Sequence, residues 1–279
     1  MNTIFAAMTR QELIHQIHNK RSFLCVGLDP ELSKIPTHLH SAPDPVLEFC
    51  KSIIDATRDL CVAYKPNTAF FEQFGSAGWS TLEQVIDHIG SDHFIIADAK
   101  RGDIGNTSTM YAKAFFESLK ADAVTVAPYM GKDSVDPFLQ FDGKWAVVLA
   151  LTSNSGSNDF QRKHLSGSNQ ELFENVLKTV SAWGTIDNTM YVVGATHPEL
   201  FKRVRAIVPD HFLLVPGVGA QGGSLSAVAV SGMNADVGLL VNSSRQILYA
   251  SSGLDFMEKA HKEAEKLRDE MAVLIENIR

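Results

Sequence analysis

What most constrains this chain is an alternation: eight short apolar runs, each followed by an amphipathic stretch, spread across 279 residues. The runs are 23–29 (FLCVGLD), 62–67 (VAYKPN), 93–100 (HFIIADAK), 123–129 (AVTVAPY), 145–152 (WAVVLALT), 190–195 (MYVVGA), 211–218 (HFLLVPGV) and 236–244 (DVGLLVNSS). Most lack a clean polar alternation, as strands covered on both faces do. Helical patterns follow at 45–60, 78–89, 106–120, 133–140, 169–184, 197–208, 224–232 and 255–278. Strand and helix repeating in this way predict a parallel sheet, and eight units predict an α/β fold of the closed (β/α)8 type, the TIM barrel, for which about 250 residues are typical. No linker, repeat or low-complexity tract divides the chain, so residues 1–279 are expected to form one barrel domain, with a helix at about 9–21 closing its bottom. The last helix spaces Met257, Ala260, Ala264, Leu267, Met271, Leu274 and Ile278 by threes and fours. A coiled-coil seam has that pattern, but so does an outer barrel helix with one buried stripe, the packing every other helix here needs.

Composition narrows the partners. A formal charge of −7 gives no general attraction to nucleic acid or to an anionic membrane, so neither is expected as a partner, and any anionic ligand must be held by a local cationic cluster. Cys25, Cys50 and Cys61 lie in or beside apolar runs without the close pairing of a zinc site. The N-terminal stretch has no basic leader pattern, and nowhere do eighteen apolar residues run together, so a cytoplasmic protein is expected.

Chemistry concentrates at the end of the third run, IIADAKRGDIGNTS, where Asp98, Lys100 and Asp103 follow an apolar strand. Asp98 and Lys100 are two apart and face the same way, which at a barrel strand end can be inward, while Asp103 lies past the strand. The neighbouring second run supplies Lys65, making an alternating lysine–aspartate array possible. Any one of these charges alone reads as a solvated strand end or ordinary ion pair. As a set they indicate a site, because buried charges cost several kcal/mol each unless closely paired. A magnesium site on Asp98 and Asp103 is one alternative, but an ammonium between the carboxylates takes the cation's place, so no metal is expected. A Schiff-base lysine is another; it needs a depressed pKa, whereas flanking carboxylates favour the charged form, so Lys100 reads as a proton donor.

The seventh run leads into PGVGAQGG, where Gly217, Gly219 and Gly222, with Gly223 beside them, match the dinucleotide pattern G-x-G-x-x-G. The match comes after six other units, with no acidic residue at the end of the next strand for a ribose diol, so a Rossmann reading fails. In a barrel the loops after strands seven and eight commonly hold phosphate. Arg245 after the eighth run and Gln221 in the glycine loop are then candidate phosphate donors, the alternative for Arg245 being a plain surface charge. The polar stretch 153–170 follows strand five and is either a lid over the barrel mouth or a mobile insertion.

These segments resemble the orotidine 5′-phosphate decarboxylase family, in wording closest to its longer bacterial subgroup. The resemblance spans nearly the whole chain through FLCVGLDP, YKPNTAFFE, DAKRGDIGNT, TVAPYMG, LTSN, PGVGAQGG and the arginine of SSRQI. It implies decarboxylation of orotidine 5′-phosphate to UMP without a cofactor, by a homodimer whose active sites are shared. Lys65, Asp98 and Lys100 would come from one chain, and Asp103, Ile104 and Thr107 would reach into the partner's site. Asp29 matches the aspartate that contacts ribose hydroxyls, Ser153 or the adjacent Asn154 would meet the pyrimidine amide, and Gln221 and Arg245 match the phosphate-binding pair. Ala127 departs from the polar residue that relatives often carry before the proline, which leaves the charged array untouched.

Two rival readings remain. Keto-gulonate-phosphate decarboxylases and hexulose-phosphate synthases look similar around an Asp-x-Lys-x-x-Asp motif but use magnesium and would carry an acidic ligand in place of Lys65. A non-catalytic barrel binding a phosphorylated nucleotide would have little use for a second lysine beside two acids.

Overall fold

A computed structural model describes residues 8–196, 198–219 and 223–277. Its centre is a closed barrel of eight parallel strands in sequential order: β1 (Leu24–Leu28), β2 (Ala63–Pro66), β3 (Phe94–Arg101), β4 (Ala123–Val126), β5 (Trp145–Leu151), β6 (Thr189–Val193), β7 (Phe212–Pro216) and β8 (Leu239–Ser243). Closure comes from β8 pairing with β1, with Leu24 opposite Val241 and Val26 opposite Ser243. The helices are α1 (Arg10–Lys20), α2 (Pro45–Thr57), α3 (Ala69–Glu72), α4 (Gly75–Ile89), α5 (Gly105–Lys113), α6 (Lys132–Leu139), α7 (Leu172–Ser181), α8 (Phe201–Ile207), α9 (Leu225–Gly232), α10 (Arg245–Leu248) and α11 (Phe256–Glu276). The helix expected over 106–120 stops being α-helical at Lys113 and widens into one π-turn, Ala114–Ser118. The short helices α3 and α10, which carry no apolar period, were not legible.

Strand period sorts the side chains. Tyr64 points outward, its hydroxyl donating to the Ile54 carbonyl of α2 at 3.0 Å, so its neighbour Lys65 faces the barrel interior. The inward face of β3 begins with Phe94, whose ring meets Trp145 of β5 edge-on at 5.8 Å, and Trp145 meets Phe212 of β7 likewise at 6.4 Å. These odd-numbered strands thus fill one layer at the N-terminal end of the barrel with aromatic rings, as alternate strands do in this architecture. Two-residue steps from Phe94 along the same face lead through Ile96 to Asp98 at the opposite end.

The N-terminal helix closes the bottom as expected. Thr9 and Glu12 form a reciprocal capping box that starts α1. Leu13 and Ile17 are fully buried, and Arg10 pairs with Asp236 at 2.7 Å while its guanidinium lies over the Phe212 ring. The last helix buries Ala260, Ala264, Leu267, Met271 and Ile275 against the rest of the chain, an outer-helix stripe; of the expected set Met257 is exposed, Leu274 only partly buried, and Ile278 lies outside the described residues. Trp145 holds the bottom layer together from its centre. Trp145→Ala should therefore cost about 3–5 kcal/mol in urea unfolding, and a loss under about 1 kcal/mol would show that the layer repacks without it.

Candidate active site

The C-terminal ends of the strands form the mouth of the barrel, and there β2 and β3 bring their inward charges together. The Lys65 ammonium donates to Asp98 Oδ2 at 2.7 Å, and the Lys100 ammonium donates to Asp98 Oδ1 at 2.5 Å. Lys65 and Asp98 are buried, whereas Lys100 is about half exposed. Burial alone would push a proton onto Asp98, but the two ammonium groups outweigh it and hold the carboxyl well below the usual carboxylate range. Lys65 is disfavoured as a cation by burial, yet Asp98 and Asp29 together raise it above the usual ammonium range. Lys65 and Asp98 thus hold each other ionised, and the Lys100 ammonium adds to the hold on Asp98.

Lys100 reaches this position through an irregular backbone. Its φ is +45°, the left-handed region that side chains other than glycine rarely adopt, and the β3–β4 register shifts between Ala97 and Arg101. Arg101 turns outward, pairs with Glu72, and lies over the rings of Tyr111 and Phe115, pinning the distorted segment from outside. Strain of this kind persists where surrounding contacts enforce it, and it clusters at functional sites.

A cavity opens on the Lys65–Asp98 pair, with about 570 Å³ of free space counting its open mouth, and Lys100 stands beside its wall without lining it. Asp29, Lys65, Asn67, Asp98, Gly217, Asn242, Ser244 and Arg245 all contribute to its wall. Asp29 Oδ1 is buried without a hydrogen-bond partner among the described residues. Tyr249 fixes this loop, donating to the Asp29 carbonyl at 2.8 Å and accepting from the Glu31 N–H at 2.8 Å. Arg245, at the start of α10, is exposed and makes no side-chain hydrogen bond or ion pair among the described residues. Asp29 thus stands as an unsatisfied acceptor and Arg245 as an available cation in one cavity.

Not every expected residue joins it. Asp103 lies past the strand and makes no ion pair among the described residues; its Oδ1 accepts from the Ile104 N–H at 2.8 Å. Ile104 and Thr107 are exposed, and neither they nor Ser153 belong to the cavity wall. Gly217 and Gly219 both have positive φ, and the Gly219 N–H bonds the Gly223 carbonyl at 2.9 Å while the Gly223 N–H bonds the Gly217 carbonyl at 3.2 Å. Those two amides are therefore spent within the loop. Gln221 and Gly222 lie outside the described residues. The stretch 153–170 is tied to the strand end, with Gln161 Oε1 accepting from the Thr152 N–H at 2.7 Å. Sequence reasoning missed Asn67, Asn242, Ser244 and Tyr249. The first three stand in the quoted strand-end segments as polar residues among apolar ones, but Tyr249 carries no signal of that kind.

A lysine–aspartate–lysine array at the mouth of a (β/α)8 barrel, with an arginine on the wall of the adjoining cavity, defines an acid–base enzyme for a small anionic substrate. Residues 22–260 match the family model described as orotidine 5′-phosphate decarboxylase / HUMPS family, and the chain belongs to that family. It is 61% identical over 273 residues to the orotidine 5′-phosphate decarboxylase of Flavobacterium johnsoniae, covering 97% of this chain and 99% of that protein. The corresponding protein of Christiangramia forsetii is 56% identical over 274 residues, 97% of this chain and all of that one. Among solved structures, the OMP decarboxylase of Leishmania donovani superposes with a TM-score of 0.79 at 39% identity, over 94% of this chain and 99% of that one.

The coupling of Lys65 and Asp98 sets a pH signature. A depressed carboxyl contributes stability above its unfolded pKa near 4 and loses it as pH falls through the folded value. A raised ammonium contributes below about 10 and loses it as pH rises through the folded value. Asp98→Ala leaves Lys65 buried without its nearest anion and should cost about 3 kcal/mol or more at pH 7, the gap to wild type narrowing below about pH 4. Urea unfolding of both proteins at pH 7 and pH 3 checks this; a gap that does not change with pH would contradict it.

Proposed function

We infer that the chain decarboxylates orotidine 5′-phosphate to UMP and CO2, the reaction its relatives are named for and a step of pyrimidine biosynthesis. The observation that carries this reading is the Lys65–Asp98–Lys100 array, of which Lys65 and Asp98 line one cavity together with Arg245 while Lys100 bonds Asp98 from beside it. When the C6–CO2 bond breaks, its electron pair stays on C6 in the ring plane, where no π system delocalises it. Stabilisation must therefore be electrostatic, and a fixed ammonium provides it. Lys100 stands against C6, stabilises the developing carbanion, and transfers one proton from Nζ to it, leaving a neutral amine that solvent reprotonates. Asp98 orients Lys100 through Oδ1, and Lys65 on Oδ2 holds Asp98 ionised. Asp98 also places a negative charge near the departing carboxylate, which destabilises bound substrate.

The remaining assignments belong to the same proposal. Arg245, with Gln221 and the glycine loop at Gly217 and Gly222, takes the phosphate, Gly219 and Gly223 serving to shape that loop through their own hydrogen bonds, while Asp29 takes ribose hydroxyls and Ser153 the pyrimidine amide. Phosphate binding far from C6 supplies energy for closure over the ring. Two chains form a homodimer, with Asp103, Ile104 and Thr107 entering the partner's site. The exposure of Ile104 and Thr107 and the absence of an Asp103 ion pair among the described residues support that arrangement. The barrel closes only when β8 meets β1, which supports residues 1–279 working as one catalytic domain. Among the described residues no helix is long and apolar enough to cross a membrane, and all three cysteines are buried and unpaired, which supports work in the cytoplasm. No metal or cofactor enters the scheme: both Asp98 oxygens already hold ammonium groups, so a divalent ion would have to displace a lysine.

Arg245→Ala should lower kcat/KM by at least about a hundredfold, as loss of a charged phosphate contact does, with an unchanged circular dichroism spectrum. Unaltered steady-state kinetics would remove Arg245 from the phosphate site. Shared sites predict that Lys100→Ala and Asp103→Ala, each nearly inactive, recover about one quarter of wild-type activity after unfolding and refolding together, because half the dimers are mixed and each has one intact site. No recovery would argue that every site is built within one chain.

A further inference from the structure

Among the described residues, Thr125 is the one hydroxyl that touches both the acid and the carboxylate that orients it. It lies on the inward face of β4, two residues beyond Ala123, and is 1% exposed. Its Oγ1 accepts the backbone N–H of Lys100 at 2.8 Å and is 3.0 Å from Asp98 Oδ1, to which it donates. Asp98 Oδ1 therefore receives two hydrogen bonds, from Thr125 and from the Lys100 ammonium, while Oδ2 receives that of Lys65. A hydroxyl carries one proton to donate, and here it donates to the carboxylate and accepts from the main chain.

The backbone gives this contact its meaning. The register between β3 and β4 slips between Ala97 and Arg101, and Lys100 sits at φ +45° inside the slip. Its N–H is satisfied by a side chain instead of a strand carbonyl. An unpaired N–H there would cost enough to release the strained conformation. Accepting that N–H also polarises the hydroxyl and strengthens its bond to Asp98.

We propose that Thr125 is a positioning residue for the decarboxylation, holding the left-handed backbone of Lys100 and the carboxylate plane of Asp98 together so that the ammonium meets C6. The proposal rests on Lys100 being the acid. Thr125 touches no substrate atom in this scheme; it acts through the other two groups.

Thr125→Val keeps the volume and removes the hydroxyl; Thr125→Ser keeps the hydroxyl and removes the methyl. Decarboxylation of orotidine 5′-phosphate by both, with Lys100→Ala alongside and thermal unfolding of each, tests the idea. Thr125→Val is expected to lose ten- to a hundredfold in kcat with KM within about threefold of wild type, the pattern of a contact that matters in the transition state. Thr125→Ser should stay within about threefold of wild type in both. A Thr125→Val variant with wild-type kcat, or a Thr125→Ser variant as slow as Thr125→Val, would overturn the inference. Full activity in Lys100→Ala would instead sink the reading beneath it, whereas an inactive Lys100→Ala beside a fully active Thr125→Val would overturn the Thr125 role alone.

Discussion

Two ammonium groups sharing one buried carboxylate are the constraint around which this molecule is arranged. Lys65 and Lys100 repel each other, and Asp98 between them, at 2.7 and 2.5 Å, makes their proximity tolerable. Water could screen such an arrangement at a surface, but Lys65 and Asp98 are buried, so the barrel must supply what the solvent does not. It does so by placing β2 beside β3 and by turning the same face of each strand inward. Eight strands closing on one another make those positions rigid, and the aromatic layer around Trp145 at the far end gives the closure a packed floor.

Function follows from what the array cannot do alone. A protonated lysine is a poor nucleophile but carries a proton to give, which suits a reaction whose product needs one proton at carbon and whose intermediate needs a nearby positive charge. The cavity then separates two tasks. In the proposed reading the ring lies against Lys65, Asp98 and Lys100 and the phosphate against Arg245; Asp29, whose Oδ1 has no hydrogen-bond partner among the described residues, follows β1, the strand between β2 and β8. Binding energy collected by groups that do no chemistry can be used where the bond breaks.

Much of this was legible from residue order. The alternation of short apolar runs with amphipathic stretches specified the barrel, and the two-residue step from Asp98 to Lys100 placed both on one face. The left-handed backbone at Lys100 was hidden, since nothing in AKRGD distinguishes a bulge from a regular strand end. Thr125 left a faint trace as the single polar residue of AVTV at an inward step, but its partners lie 25 and 27 residues away on the neighbouring strand, and only the register brings them together. Tyr249 was invisible for the same reason: its contact at Asp29 spans 220 residues and depends on β8 closing beside β1. Asp103 illustrates the converse. Its motif singles it out, yet within one chain it meets neither lysine, because it stands beyond the end of the strand that carries them.

The central claim is that Lys100 protonates C6 without help from a metal ion. Conversion of orotidine 5′-phosphate to UMP by the purified protein in excess EDTA, with folded Lys100→Ala measured beside it, tests this most directly. The account predicts full turnover by the wild type and loss of turnover in the variant. Activity that vanishes in EDTA and returns with magnesium, or that survives in Lys100→Ala, would contradict it.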